Sequence, residues 1–244
     1  MAGTDSVDDA AGGDARRTEP SDPTALEALR PLASTEVAVT PTFLHREVYT
    51  TRGLLTVLTH EPARDAGECA IVACGGAMGG VLGPGDALYH RLGERWSRRG
   101  VRFVRIGFRE PNNLDLCAHD LACGVELARN AGAQHVVVMG HSFGGAVAIR
   151  TAVIMPVSIV GVVTFATQSA GCEVAGALAG RPLLLFHGDR DELLPPESSH
   201  VVAAIAGHGE VVMLPGDGHL LANSDDIIVE RLDEWLAGVF APAV

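Results

Sequence analysis

"HVVVMGHSFGGAVAIR", His135–Arg150, runs an apolar strand into a serine set between glycines and then into an Ala/Val/Ile-rich helix. Inside it, Gly140-His141-Ser142-Phe143-Gly144 fits G-x-S-x-G in the context that the motif requires, a strand before and a helix after. The glycines have a steric reason: on so sharp a corner, side chains flanking the serine would strike the neighbouring strand and helix. The following helix then aims unpaired N–H groups at the serine. A tight turn without chemistry is the competing reading, and the partners found elsewhere in the chain decide between them.

Working outward, apolar strands alternate with helices. "CAIVACGG", "VRFVRIGF", "HVVVMG", "SIVGVVTFA", "RPLLLFHG" and "EVVMLPG" read as strands, and "DALYHRLGERWSRRG", "LDLCAHDLACGVELARNAG", "FGGAVAIRTAVIM", "PESSHVVAAIAG" and "SDDIIVERLDEWLAGVF" as helices. Fully apolar strands in alternation with helices predict a parallel sheet covered on both faces, with a ligand site beyond the carboxyl ends of the strands. Before them, "STEVAVT", "FLHREVYTT" and "GLLTVLTHEP" predict an antiparallel start with a turn at Thr51-Arg52-Gly53. Residues 1–24 are Ala/Gly/Asp/Ser-rich and read as a disordered acidic tail, leaving a single domain over residues 35–244.

A serine hydroxyl is a poor nucleophile until a base takes its proton. Of the ten histidines, His45, His60, His90, His119, His135, His200 and His208 lie at strand starts, on helix faces or in turns. His141 sits inside the corner and would point away from Ser142, and His187 ends a strand and would pack or bond the loop after it. His219, in the Gly-rich loop "LPGDGHLL" beyond the last strand, is the candidate base. A carboxylate must hold its tautomer. "HGDRDELLPP" supplies Asp191 as the choice, with Asp189 read as a turn cap and Asp217 as too near His219 in sequence. All three chosen residues follow strands, in the order Ser, Asp, His.

Acyl transfer also needs oxyanion donors. The N–H of Phe143 is one; the other comes from "ACGGAMGG", where Gly76 is the choice and Ala77 the alternative. A phosphate-cradling role for these glycines fails, because no Lys-Ser/Thr follows and the G-x-G-x-x-G spacing is absent. Met78, Phe143, Leu194 and Leu220 are expected to form an apolar acyl pocket, with Arg109, Asn112 or Asn113 near its mouth; core packing is the alternative for the apolar set.

The bulk composition narrows the function classes. The 244 residues carry a net charge of -12, which argues against nucleic-acid or anionic-membrane surfaces. The chain has no lysine, a bias that fits GC-rich coding. Five cysteines without a C-x-x-C pair read as buried free thiols in a reducing compartment. The acidic start lacks an apolar core of a signal peptide, and no apolar run nears the roughly 18 residues of a membrane helix. The expectation is a cytoplasmic enzyme acting on a small acyl substrate.

Through "GHSFGG", "HGDRDELLPP" and "GDGHLL", residues 40–240 resemble the α/β-hydrolase superfamily. The resemblance implies a three-layer α/β/α sandwich with a mostly parallel, about eight-stranded sheet. It also implies a Ser142–His219–Asp191 triad and no metal or organic cofactor. Two departures stand out. Many members carry His-Gly where this chain has Cys74-Gly75, a change expected in packing more than chemistry. Many also insert a cap after the strand that follows the elbow helix, where this chain has only "TQSAGCEVAGALAG". It therefore resembles compact, capless dienelactone-hydrolase-like and carboxylesterase types, although a serine in place of the dienelactone hydrolases' cysteine argues against that activity. The expected function is hydrolysis of a carboxylic ester or thioester. An acyltransferase or cyclase with the same triad, and a non-catalytic binding member of the fold, are the alternatives.

Overall fold

A computed structural model of the chain describes residues 24–63 and 67–241. The tail expected over residues 1–24 lies outside them except for Thr24. That residue caps a short helix α1 (Ala25–Leu29) in a reciprocal capping box with Glu27, upstream of the domain start expected at residue 35.

Nine strands form one sheet: β1 (Ala33–Thr40), β2 (Phe43–Thr50), β3 (Gly53–His60), β4 (Cys69–Cys74), β5 (Arg102–Gly107), β6 (His135–His141), β7 (Ile159–Phe165), β8 (Leu183–Gly188) and β9 (Glu210–Leu214). Their order is β1-β2-β3-β5-β4-β6-β7-β8-β9. The first three run antiparallel, β3 meets β5 antiparallel, and every pair from β5 to β9 is parallel. The sheet thus has the nine strands read from the sequence, one more than the about eight that the resemblance implies; β1 is an edge whose eight residues are all exposed.

The helices α2 (Leu88–Ser97), α3 (Leu114–Asn130), α4 (Phe143–Ile154), α5 (Glu197–Ala206) and α6 (Asp225–Phe240) follow the parallel strands. Alternation along each strand divides the core in two. Val136 and Val138 of β6 pack with α1, α3, α4 and α5, whereas Val137 and Met139 pack with α2 and α6. The result is the α/β/α sandwich with both sheet faces covered. Burial of the apolar side chains of these strands is the main favourable term, at about 25 cal/mol per Å² of apolar surface.

The strand crossover between β7 and β8 holds only a one-turn 3-10 segment, Ala175–Leu178, so no cap lies over the carboxyl edge among the described residues. No described helix is long and apolar enough to cross a membrane. The five cysteines are unpaired, four of them buried, and burial pushes the thiols of Cys117, Cys123 and Cys172 up to about 12.

Candidate active site

The chain turns from β6 into α4 at Ser142, whose φ of 57° and ψ of -121° lie outside the helical and extended regions. A non-glycine residue held at positive φ stores strain that the surroundings must overdetermine. Here they do. The Ser142 N–H donates to Phe165 O at 2.8 Å on the neighbouring strand, and its carbonyl accepts from Gly145 N–H at 3.0 Å. The glycines are obligatory by contact: a Cβ on Gly140 would lie 1.9 Å from Gly144 O, and one on Gly144 would lie 2.2 Å from Gly75 O. The second contact also seats the β4 loop against the elbow.

His219 arrives from the loop after β9. Its Nε2 lies 3.0 Å from Ser142 Oγ and its Nδ1 2.8 Å from Asp191 Oδ2. Because Nδ1 faces a carboxylate, it carries the ring proton, leaving the Nε2 lone pair toward the serine hydroxyl. The Asp191 side chain is closed to solvent. Burial alone would raise its pKa, but N–H donation from Leu194 at 2.8 Å, the His219 ring and Leu193 N–H at 2.9 Å outweigh it and hold the carboxyl below its ordinary value. Asp191 is therefore a charged orienter for His219.

The other carboxylates of these loops have structural tasks. Asp189 accepts from Gly216 N–H at 2.6 Å and fastens two loops at the surface. Asp217 is buried and accepts from the backbone and side-chain N–H groups of Asn223, both at 3.0 Å, which shapes the loop that delivers His219. Glu192 accepts from His219 N–H at 3.3 Å.

Two histidines do more than the sequence disclosed. His187 is fully buried, with Nε2 3.1 Å from Asp191 Oδ2 and 3.3 Å from Leu194 O, and Nδ1 2.7 Å from Ser199 Oγ. It braces the acid loop as expected, and it also donates to Asp191 itself. Burial pushes its pKa down, so it does so as the neutral ring. The i, i+4 spacing from the strand end to Asp191 was the available signal. His141 is also buried, and its Nε2 donates to the backbone carbonyl of His219 at 3.0 Å, tying the elbow to the loop of His219. Burial pushes its pKa down to about 4, again a neutral ring.

Phe143 opens α4, so its N–H has no intrahelical acceptor. Gly76 lies beside Ser142, since a Cβ built on it would be 3.4 Å from Ser142 Cβ. The Phe143 ring is buried against Phe108, with centroids 6.4 Å apart, and so belongs to the core. Cys74 is fully buried, its thiol directed at Met139 O and Gly144 O at 3.6 Å each; it packs behind the elbow.

Several expected contributors are corrected. The acyl pocket assigned to Met78, Leu194 and Leu220 is not enclosed by these side chains: Met78 is 96% exposed and Leu220 59%, both on projecting loops. Leu194 is half-buried and serves through its backbone groups, toward Asp191 and His187. Arg109 does not reach the mouth as a free cation. Its side chain is buried against Asp120, with its guanidinium 2.9 Å from His119 Nδ1. Asn113 caps α3 through Leu116 N–H, and Asn112 takes a φ of 67° in the turn before it.

A small cleft of about 160 Å³ is walled by the loop from Gly75 to Gly83 and by His141, the residue before Ser142. Among the described residues no group of three or more His, Cys, Asp or Glu is arranged to hold a metal ion.

No family model matches this chain. No curated protein matches it either. Its structure is similar to Est1E from Butyrivibrio proteoclasticus, with a TM-score of 0.69 at 16% identity over 81% of this chain and 99% of that one. An alpha-beta serine hydrolase homologue from Coxiella burnetii gives a TM-score of 0.61 at 18% identity, over 80% and 96% of the two chains. The 2-hydroxy-6-oxo-6-phenylhexa-2,4-dienoate hydrolase of a Rhodococcus strain gives 0.59 at 14% identity, over 76% and 95%. At such identities the likeness concerns the fold.

Proposed function

The chain has the α/β-hydrolase fold, and on that premise we propose that it is a serine hydrolase that cleaves a carboxylic ester or thioester of a small molecule. The observation that carries this reading is the continuous relay Ser142 Oγ–His219 Nε2 at 3.0 Å and His219 Nδ1–Asp191 Oδ2 at 2.8 Å, at the carboxyl edge of the sheet. A binding pocket has no need of all three groups in that order.

In the proposed reaction Ser142 Oγ attacks the acyl carbon while His219 Nε2 takes the hydroxyl proton. Negative charge collects on the former carbonyl oxygen, which accepts from the N–H groups of Phe143 and Gly76. Collapse breaks the bond to the alcohol or thiol, which leaves with the proton from His219. Water then attacks the acyl-Ser142 ester and gives a proton to His219; the bond to Ser142 Oγ breaks, Oγ takes that proton back from His219, and the carboxylic acid leaves. Asp191 keeps the imidazole in the right tautomer and stabilises its cation, and the uncapped edge favours small or extended acyl groups.

Turnover of p-nitrophenyl acetate and butyrate tests the reading. The wild type is expected to release p-nitrophenol and Ser142→Ala to lose that activity by about 10⁶-fold in kcat. Activity that survives in Ser142→Ala removes this serine as the nucleophile. A folded wild type inert toward both esters argues for a binding role.

A further inference from the structure

A cleft next to the elbow is walled by five glycines of the loop from Gly75 to Gly83, with Val81 and Leu82; His141, the residue before Ser142, contributes its one ionisable side chain. A Cβ on Gly76 would stand 3.4 Å from Ser142 Cβ and 3.7 Å from His141 Nδ1, so this nitrogen and the serine side chain face the same side of Gly76. His141 is only 8% exposed. Its Nε2 faces the carbonyl of His219 at 3.0 Å, and a carbonyl can only accept, so Nε2 carries the ring proton. Nδ1 is thereby a lone-pair acceptor, and it has no hydrogen-bond partner among the described residues.

We propose that His141 Nδ1 is a specificity-determining acceptor, and that the preferred substrate bears a hydroxyl or N–H donor on the group that enters the glycine-walled cleft. This rests on the hydrolase reading above. The physical reason is desolvation. A substrate group that fills this cleft of about 160 Å³ displaces the water that would otherwise satisfy Nδ1. A substrate without a donor leaves a buried acceptor unpaired, whereas one with a donor restores the bond. The low basicity of the ring agrees with this role, since a protonated His141 would present a donor instead.

The test compares p-nitrophenyl 3-hydroxybutyrate with p-nitrophenyl butyrate, and 2-hydroxyethyl butyrate with ethyl butyrate, which place the hydroxyl on the acyl and alcohol sides respectively. In one of the two pairs the wild type is expected to favour the hydroxylated ester by about tenfold in kcat/KM. That ratio should fall to about one in His141→Phe and in His141→Gln, which keeps a donor for His219 O but not an acceptor near Nδ1. His141→Asn, whose amide oxygen can take the Nδ1 position, should restore part of it. Equal kcat/KM in both pairs, or a preference that survives His141→Phe, overturns the proposal.

Ring nitrogen-15 NMR of the wild type supplies a readout that needs no turnover. His141 Nδ1 should resonate as an unprotonated nitrogen and shift on addition of 3-hydroxybutyramide but not of butyramide. A proton on Nδ1, or no difference between the amides, overturns it. If the wild type cleaves no ester, the hydrolase reading falls while the NMR comparison still decides whether the cleft binds a donor.

Discussion

Along β4, β6 and β8 almost every side chain is buried, whereas β1 exposes all eight of its residues and β2 buries only Val48. The parallel strands end in the loops that carry Gly76, Ser142 and Asp191, and β9 leads to His219. The antiparallel margin ends in hairpins such as the Thr51–Arg52 turn and contributes none of these groups. The contrast has a mechanical reading. A strand wedged between two helical layers cannot shift without breaking close packing, so its end is a fixed platform for a side chain that must be held within fractions of an ångström. A strand with one wet face has room to adjust and little reason to be exact.

The strongest way to break this comparison is at the carboxylate. Asp191→Asn should lower kcat by about 10⁴-fold through the wrong imidazole tautomer, while Asp189→Asn, only a few residues away but at the surface, should leave it within a few-fold. Steady-state kinetics on p-nitrophenyl butyrate would show it. If the two variants behaved alike, the placement of Asp191 against His219 would carry no chemistry.

The next test is mechanical. Leu185 of β8 is fully buried and Val37 of β1 is 59% exposed. Leu185→Ala should cost about 2–5 kcal/mol in urea unfolding, and Val37→Ala no more than about 0.5 kcal/mol. Comparable losses would mean that β1 is covered by something in solution.

A third test uses pH. Burial, then the charge of Arg105 and the neighbouring His90, pushes His60 of β3 down to about 4; His141 is pushed to a similar value, mainly by burial. Unfolded imidazoles take up protons near 6.5, so below that pH the unfolded chain binds more protons than the folded one. Stability should therefore fall as pH drops from 6.5 toward 4 and stay level above it. Asp191 acts later: its depressed pKa contributes stability above the ordinary carboxylate value, lost only as pH falls through the folded one. Melting curves should show a smaller fall in Tm between pH 7 and 5 in His60→Gln than in wild type. An unchanged slope would mean that His60 is protonated in the folded state. The margin should again show little: Glu36→Ala, which removes the exposed pair with Arg46 between β1 and β2, should change stability by less than about 1 kcal/mol.

The same contrast explains what could be read from the sequence. In the parallel half, apolar runs and glycine corners leave few solutions, so the elbow at Ser142 and the loops holding Asp191 and His219 were legible as the ends of strands. Side-chain direction on open loops was not. Met78 and Leu220 are apolar by composition, but hydrophobicity does not force a residue inward when its loop projects past the core. Arg109 was misplaced because its partner Asp120 sits one helix entry away, and a buried ion pair leaves no periodic trace. The helix α1 carried its capping box, Thr24 with Glu27, but five residues give no amphipathic stripe to set it apart from the acidic stretch before it. His141 hid its role because its partner is a backbone carbonyl 78 positions away, which no side-chain pattern encodes.

The central claim is that Ser142 is a nucleophile made reactive by His219. Its most direct test is a fluorophosphonate probe followed by intact mass and peptide mapping. One adduct per chain is expected on the peptide holding Ser142, formed by the wild type and lost in both Ser142→Ala and His219→Ala. A folded wild type that takes up no label, or an adduct of undiminished yield in Ser142→Ala, would contradict it.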